Sequence, residues 1–178
     1  MTNYVKLPLL NSTGHFHAVI ETPRGSRVKI AYRPELKIFE FSRPLVLGVV
    51  YPFDWGFFPS TLAEDGDPLD ALVMHGAATY PGVVIVVRPV GAVRVSQRNS
   101  KGIRQRNDRV ITVPVNDPRF DDSRRVTRRV QHELERFFLS AVLMENKKVT
   151  IDGWDGDSAA RKLIEDAARK FEKNKGAK

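Results

Sequence analysis

The run Val83-Val84-Ile85-Val86-Val87-Arg88-Pro89-Val90-Gly91-Ala92-Val93-Arg94-Val95 is the most β-branched stretch of the chain. Branching at Cβ suits a pleated strand better than a helix. Pro81-Gly82 opens the run as a turn, and Pro89 interrupts it without ending it. Upstream, His15 to Glu21 alternates, with Phe16, Ala18 and Ile20 on one side, which is the period of a strand. Short strands are expected at Arg27–Tyr32 and Lys37–Phe41 around a turn at Pro34, followed by a loop-rich aromatic stretch from Tyr51 to Pro59. Downstream, a polar connection from Ser96 to Asp108 leads to a strand at Arg109–Val115. The period then changes. Val126, Val130, Leu134, Phe137, Phe138 and Ala141 form one apolar stripe of a helix. A strand at Lys147–Asp152 and a last helix to about Phe171, capped by Asp157 or Ser158, complete the order, with Glu172–Lys178 expected to fray. Strands first and helices last predicts an α+β fold, a barrel-like sheet with helices outside it. The 178 residues fit one domain, 1–178.

Composition narrows the chemistry. The chain has no cysteine, so disulfides, thiolate zinc sites and cysteine nucleophiles are excluded, and any metal is held by oxygen or imidazole. No apolar run reaches the roughly 20 residues of a membrane span. The N-terminus has no basic region followed by an apolar stretch, so a soluble cytoplasmic protein without a membrane partner is expected. Twenty-nine Lys and Arg against 21 acidic residues give a net +8, a surface that attracts polyanions. Arg94, Arg98, Lys101, Arg104, Arg106 and Arg109 form one basic cluster, and Arg124, Arg125, Arg128 and Arg129 a second, read as a solvated face.

Glu64-Asp65-Gly66-Asp67-Pro68-Leu69-Asp70 places four carboxylates in seven residues. Their repulsion is relieved by a bound cation, by protonation or by full solvation. Gly66 permits a tight backbone and Pro68 stiffens it, so Asp65, Asp67 and Asp70 can converge on a hard cation, Mg²⁺ above all, with Mn²⁺ or Ca²⁺ possible. An exposed Asp-rich turn leading into Leu69–Met74 is the other reading. Composition alone leaves both open.

The segment resembles the Asp-x-Asp-Pro-x-Asp signature of the family I soluble inorganic pyrophosphatases. Family members also carry an early Glu, a Lys soon after, an Arg before an aromatic loop, and Tyr-Pro-x-x-Tyr-Gly. The matching residues are Glu21, Lys29, Arg43, and Tyr51-Pro52 with Trp55-Gly56. Arg88-Pro89-Val90-Gly91 and Gly153-Trp154 are further landmarks, and the similarity runs from about His15 to Phe171. The resemblance implies a small closed OB-like β-barrel with flanking helices. It also implies Mg²⁺-dependent hydrolysis of pyrophosphate or another small phosphoanhydride, in a homo-oligomer that is commonly a hexamer. It assigns Asp67 as general base, Asp65, Asp70, Glu21 and Asn107 with Asp67 to metal, and Lys29, Arg43, Tyr51, Trp55 and Arg109 to substrate.

The match fails at particular places. Gln97 and Asn107 stand where the family has metal-binding Asp, Ala31 where it has Glu, and Arg109 where it has Lys. Ala141 and Val142 replace a phosphate-holding Tyr-Lys pair, and Trp55 replaces a Tyr. These losses predict fewer bound metals, and a second possibility: a weak homologue that binds pyrophosphate or a longer polyanion without turning it over. A nucleic-acid-binding barrel ranks third, because the aromatics crowd into Tyr51–Phe58 and leave few on the strands. His15 and His17 read as ordinary surface histidines, and His132-Glu133 lacks the second His of a zinc helix.

Overall fold

The computed structural model describes residues 2–98, 102–118, 125–143, 145 and 148–176. Strands β1 (Phe16–Thr22), β4 (Asp54–Phe57), β5 (Asp70–Val73), β8 (Arg109–Pro114) and β6 (Val84–Arg98) follow one another around a ring that β6 closes on β1. The expected OB-like barrel is therefore present. Strand β6 is long enough to serve four neighbours, pairing with β1, β8, β7 (Arg104–Arg106) and β9 (Val149–Asp155) in turn. Its ladder is irregular between Pro89 and Gly91, where proline lacks a donor and a bulge absorbs it. Strands β2 (Val28–Arg33) and β3 (Ile38–Pro44) form a separate hairpin.

Alternate residues of the strands feed two cores. Ala71, Val73 and Val110 pack with Ala160, Ile164 and Ala167 of helix α2 (Asp157–Lys175). Leu72, Val93 and Ile111 pack with Leu134, Phe137 and Phe138 of helix α1 (Arg128–Ala141), the stripe read from the sequence. The signature loop lies between these layers, at the head of β5.

Several boundaries differ from expectation. The stretch Tyr51–Pro59 contains β4, because Gly56 has no Cβ: one built there would meet the Val19 carbonyl oxygen at 1.8 Å. Asp54, fully buried, fixes the start of that strand by accepting from Arg24 N at 2.7 Å, His75 Nε2 at 2.8 Å and Thr79 Oγ1 at 2.5 Å. The N-cap of α2 is Gly156, one residue before the expected Asp157, and its carbonyl accepts from Ala160 N at 3.0 Å. The expected frayed tail is helical to Lys175, whose Nζ lies 3.2 Å from Glu172 and 4.9 Å from the Phe171 ring. Lys147, the expected start of β9, lies outside the described residues, as do Lys101, Arg124 and Lys178.

Candidate active site

Asp65 and Asp67 sit in the turn before β5, and Asp70 is the first residue of the strand. Gly66 adopts φ 94°, a left-handed conformation that glycine reaches without steric cost. The turn is tied by Asp67 N donating to Asp65 Oδ1 at 3.2 Å and Ala63 N to Asp67 O at 2.8 Å. Three carboxylates thus line one wall of a cleft of about 140 Å³.

Cations line the same cleft. Lys29 and Arg43 are cross-strand partners in the β2–β3 hairpin, so both side chains leave the same face and line the cleft. Asp70 is paired in register with Arg109 of β8, which brings Arg109 Nε to 3.6 Å from Asp70 Oδ2. Arg109 is 6% exposed, so it does not belong to the basic surface its neighbours suggested. Its guanidinium carbon stands 5.2 Å from the Trp55 ring centroid and 4.7 Å from that of Phe138. Two of its nitrogens, Nε and Nη1, are buried without a hydrogen-bond partner. Burial lowers its pKa, opposed by Asp70.

Burial also raises the pKa of Asp70, opposed by the Arg109 and Lys29 charges and by a hydrogen bond with the Trp55 side chain. Trp55 therefore keeps a polar role despite lacking a phenol. Tyr51 is buried against Trp55 and Phe137, with its hydroxyl pKa raised by desolvation. Gln97, Asn107, Ala141 and Val142, the positions that depart from the family pattern, all line this cleft. Glu21 occupies an adjoining recess with Ala31, a recess that shares Lys29, Trp55, Asp67 and Asp70 with the cleft. Its carboxylate accepts from Tyr32 N at 2.7 Å.

The acidic donors are all oxygen, which suits a hard cation. Asp65, Asp67 and Asp70 line the wall without converging: among the described residues no three His, Asp or Glu side chains are gathered closely enough to hold a metal ion. Desolvation, followed by the charges of Asp70 and Asp67, helps push Asp65 up to about 6, and desolvation pushes Glu21 up to about 7. These carboxyls hold protons more tightly folded than unfolded. The folded state then binds more protons between about pH 4 and 7, so its stability falls as pH rises through that window. The metal-free protein is expected to melt several degrees higher at about pH 5 than at about pH 7.5, with a flatter profile in Glu21→Gln. Equal slopes for the two proteins would contradict this.

The structure adds one site residue. Glu145, just beyond α1, forms an ion pair with Arg43 at the mouth of the cleft. The Trp55–Phe138 enclosure of Arg109 was equally invisible, since its parts come from β4, α1 and β8. Asp108, by contrast, points away: it is buried, accepts from Val95 N at 3.1 Å and pairs with Arg106.

The inorganic pyrophosphatase family model matches residues 18–172. The chain belongs to the inorganic pyrophosphatase family. Family I pyrophosphatases are metal-dependent and hydrolyse inorganic pyrophosphate. The inorganic pyrophosphatase of Methanosarcina acetivorans is 42% identical over 161 residues, covering 88% of this chain and 93% of that protein. That of Synechocystis is 32% identical over 93% of this chain and 97% of that one. The crystal structure of the inorganic pyrophosphatase from Thermus thermophilus superposes with a TM-score of 0.88 at 35% identity, covering 96% of this chain and 99% of that one.

Proposed function

We propose that this chain hydrolyses inorganic pyrophosphate, or a related small phosphoanhydride, to phosphate in a Mg²⁺-dependent reaction, with Mn²⁺ as an alternative and with a reduced metal complement. One observation carries this reading: Asp65, Asp67 and Asp70 share a single cleft with Lys29, Arg43 and Arg109, Arg109 standing directly beside Asp70. Hydrolysis of a phosphoanhydride needs its negative charge neutralised and a water deprotonated for attack. Lys29 and Arg43 bind and orient the phosphates, Tyr51 and Trp55 shape the wall, and Arg109 supplies fixed charge behind Asp70. Asp67 takes the proton from the attacking water. Asp65 and Asp70, with Glu21 and the Asn107 carbonyl, are the groups that would have to draw together to hold Mg²⁺, which when bound polarises the phosphoryl oxygens and acidifies water. Asn107 and Gln97 add ligand oxygens but no charge, which supports the smaller metal complement.

Those same amides favour the second reading, a homologue that binds pyrophosphate or a longer polyanion and turns it over poorly. Phosphate release from pyrophosphate with and without Mg²⁺, run beside a Mn²⁺-binding titration, separates the two. Mg²⁺-dependent release and weakened Mn²⁺ binding in Asp70→Ala are expected; binding without release would favour the second reading. We also propose a cytoplasmic homo-oligomer, its assembly supported by exposed Phe41 on β3 and exposed Leu47 just after that strand. No described helix is long and apolar enough to cross a membrane.

Glu145 occupies the guanidinium that phosphate needs. Glu145→Gln is expected to lower KM for pyrophosphate by about fivefold with kcat unchanged, the worth of a partly exposed ion pair of roughly 1 kcal/mol. An unchanged KM in Glu145→Gln, alongside a raised KM in Arg43→Ala, would remove Glu145 from this role.

A further inference from the structure

On the far side of the active-site wall lies a second groove of about 370 Å³, more than twice the volume of the catalytic cleft. The two share their walls. Along the signature loop Glu64 and Leu69 line the groove, whereas Asp65 and Asp70 line the cleft. At the β7–β8 connection Arg106 and Asp108 line the groove, whereas Asn107 lines the cleft. This is the alternation of extended chain, with one segment presenting successive side chains to two sites. The third wall is α2, tied to the loop by Leu62 N donating to Ala167 O at 3.0 Å.

The groove has a divided chemistry. Its floor is apolar, formed by Leu62, Leu69, Leu163 and Ala167. Its rim is basic. Arg106 is held by Asp108 and Arg169 by Asp166, but Lys170 and Lys173 make no ion pair or hydrogen bond among the described residues. These two lysines are exposed and three apart, so they sit on one face of the helix above the floor. The carboxylates present are engaged or single, and no three of them gather to hold a cation. An apolar floor under free ammonium groups fits an anion with a flat apolar body.

We propose that this groove binds a nucleoside phosphate and that its occupant acts on the active site through the shared wall. The base covers the half-buried Leu62 and Leu163, and the phosphates reach Lys170 and Lys173, with the unpaired donors of Arg106 and Arg169 beside them. Filling the groove stiffens the loop that carries Asp65, Asp67 and Asp70. Occupancy of the groove is independent of the pyrophosphatase reading; only its effect on hydrolysis rests on it.

Calorimetric titration of the metal-free protein with ADP tests the site, with adenosine and orthophosphate titrated separately. ADP is expected to bind with a Kd on the order of 100 µM, and each fragment at least about tenfold more weakly. Lys170→Glu with Lys173→Glu, both at exposed positions, is expected to weaken ADP by roughly tenfold or more while leaving basal pyrophosphate hydrolysis unchanged. ADP is also expected to slow amide exchange across residues 62–70 in the wild type but not in the double variant. Absence of ADP binding up to about 5 mM would overturn the proposal. So would ADP binding that pyrophosphate displaces and the lysine changes do not alter, which places ADP in the catalytic cleft. Orthophosphate binding as tightly as ADP would reduce the groove to a bare anion patch and overturn the nucleoside assignment. Unchanged exchange across 62–70 with ADP bound would overturn the coupling. If the wild type binds ADP as expected but releases no phosphate from pyrophosphate, the catalytic reading fails and the groove stands.

Discussion

Asp67→Asn lowers the rate of pyrophosphate hydrolysis by roughly 10²–10⁴ if this carboxylate is the general base. The amide keeps the size and one oxygen acceptor of the side chain and cannot take a proton. The change also leaves the turn in place, because the bond that fixes it runs from the backbone N–H of residue 67 to Asp65 Oδ1. Asp67 is exposed and lines both the cleft and the adjoining recess, so a water between the two walls is within its reach. A rate assay at saturating Mg²⁺, with Mn²⁺ binding measured alongside, reads the effect. Turnover near that of the wild type would move the base to Glu21, which stands in the recess with a pKa raised to about 7 by desolvation. Asp108 cannot take the role, since it faces the other groove and is held by Val95 and Arg106.

The acidic wall was legible in the sequence because four carboxylates within seven residues demand a physical explanation wherever the chain goes. The long β6 was legible for a similar local reason, its β-branched run being unsuited to a helix. Strand β4 was not, because Pro52, Gly56 and Pro59 read as punctuation. Two tertiary features explain the strand: the absence of a Cβ at Gly56 against Val19 and the hydrogen bonds that hold buried Asp54. Arg109 was assigned to the site by resemblance, but its burial was not legible for the same kind of reason. Its sequence neighbours are surface arginines, yet its position in the β8 ladder beside Asp70 and under Phe138 buries it. Glu145 carried no local signal at all; its partner belongs to a hairpin distant in the chain. Chemistry confined to one loop shows in the residues themselves, whereas the strand-borne Lys29, Arg43 and Arg109 were found only through the resemblance.

Gln97→Asp combined with Asn107→Asp is expected to raise Mg²⁺-dependent pyrophosphate hydrolysis at least about tenfold, an effect of only about 1.4 kcal/mol on the barrier. Both side chains line the same cleft as Asp65, Asp67 and Asp70, so two further carboxylates would join the three already there. Their charge lets the cleft hold an additional divalent ion, and a second ion clamping attacking and leaving oxygens contributes several kcal/mol in two-metal chemistry. Arg109 acts in the opposite direction. Its guanidinium is fixed between Trp55 and Phe138 and cannot swing away, so it neutralises new charge near Asp70 and repels an incoming cation. The gain is therefore expected to grow when Arg109→Lys is added, because an ammonium on a flexible stem can withdraw from a cation where a stacked guanidinium cannot. Mn²⁺ stoichiometry, measured on the folded variants, separates the steps. A rise in stoichiometry without a rise in rate would show that the missing carboxylates do not limit turnover. The defect would then lie at Ala141 and Val142, which line the cleft and offer a phosphate no side-chain donor.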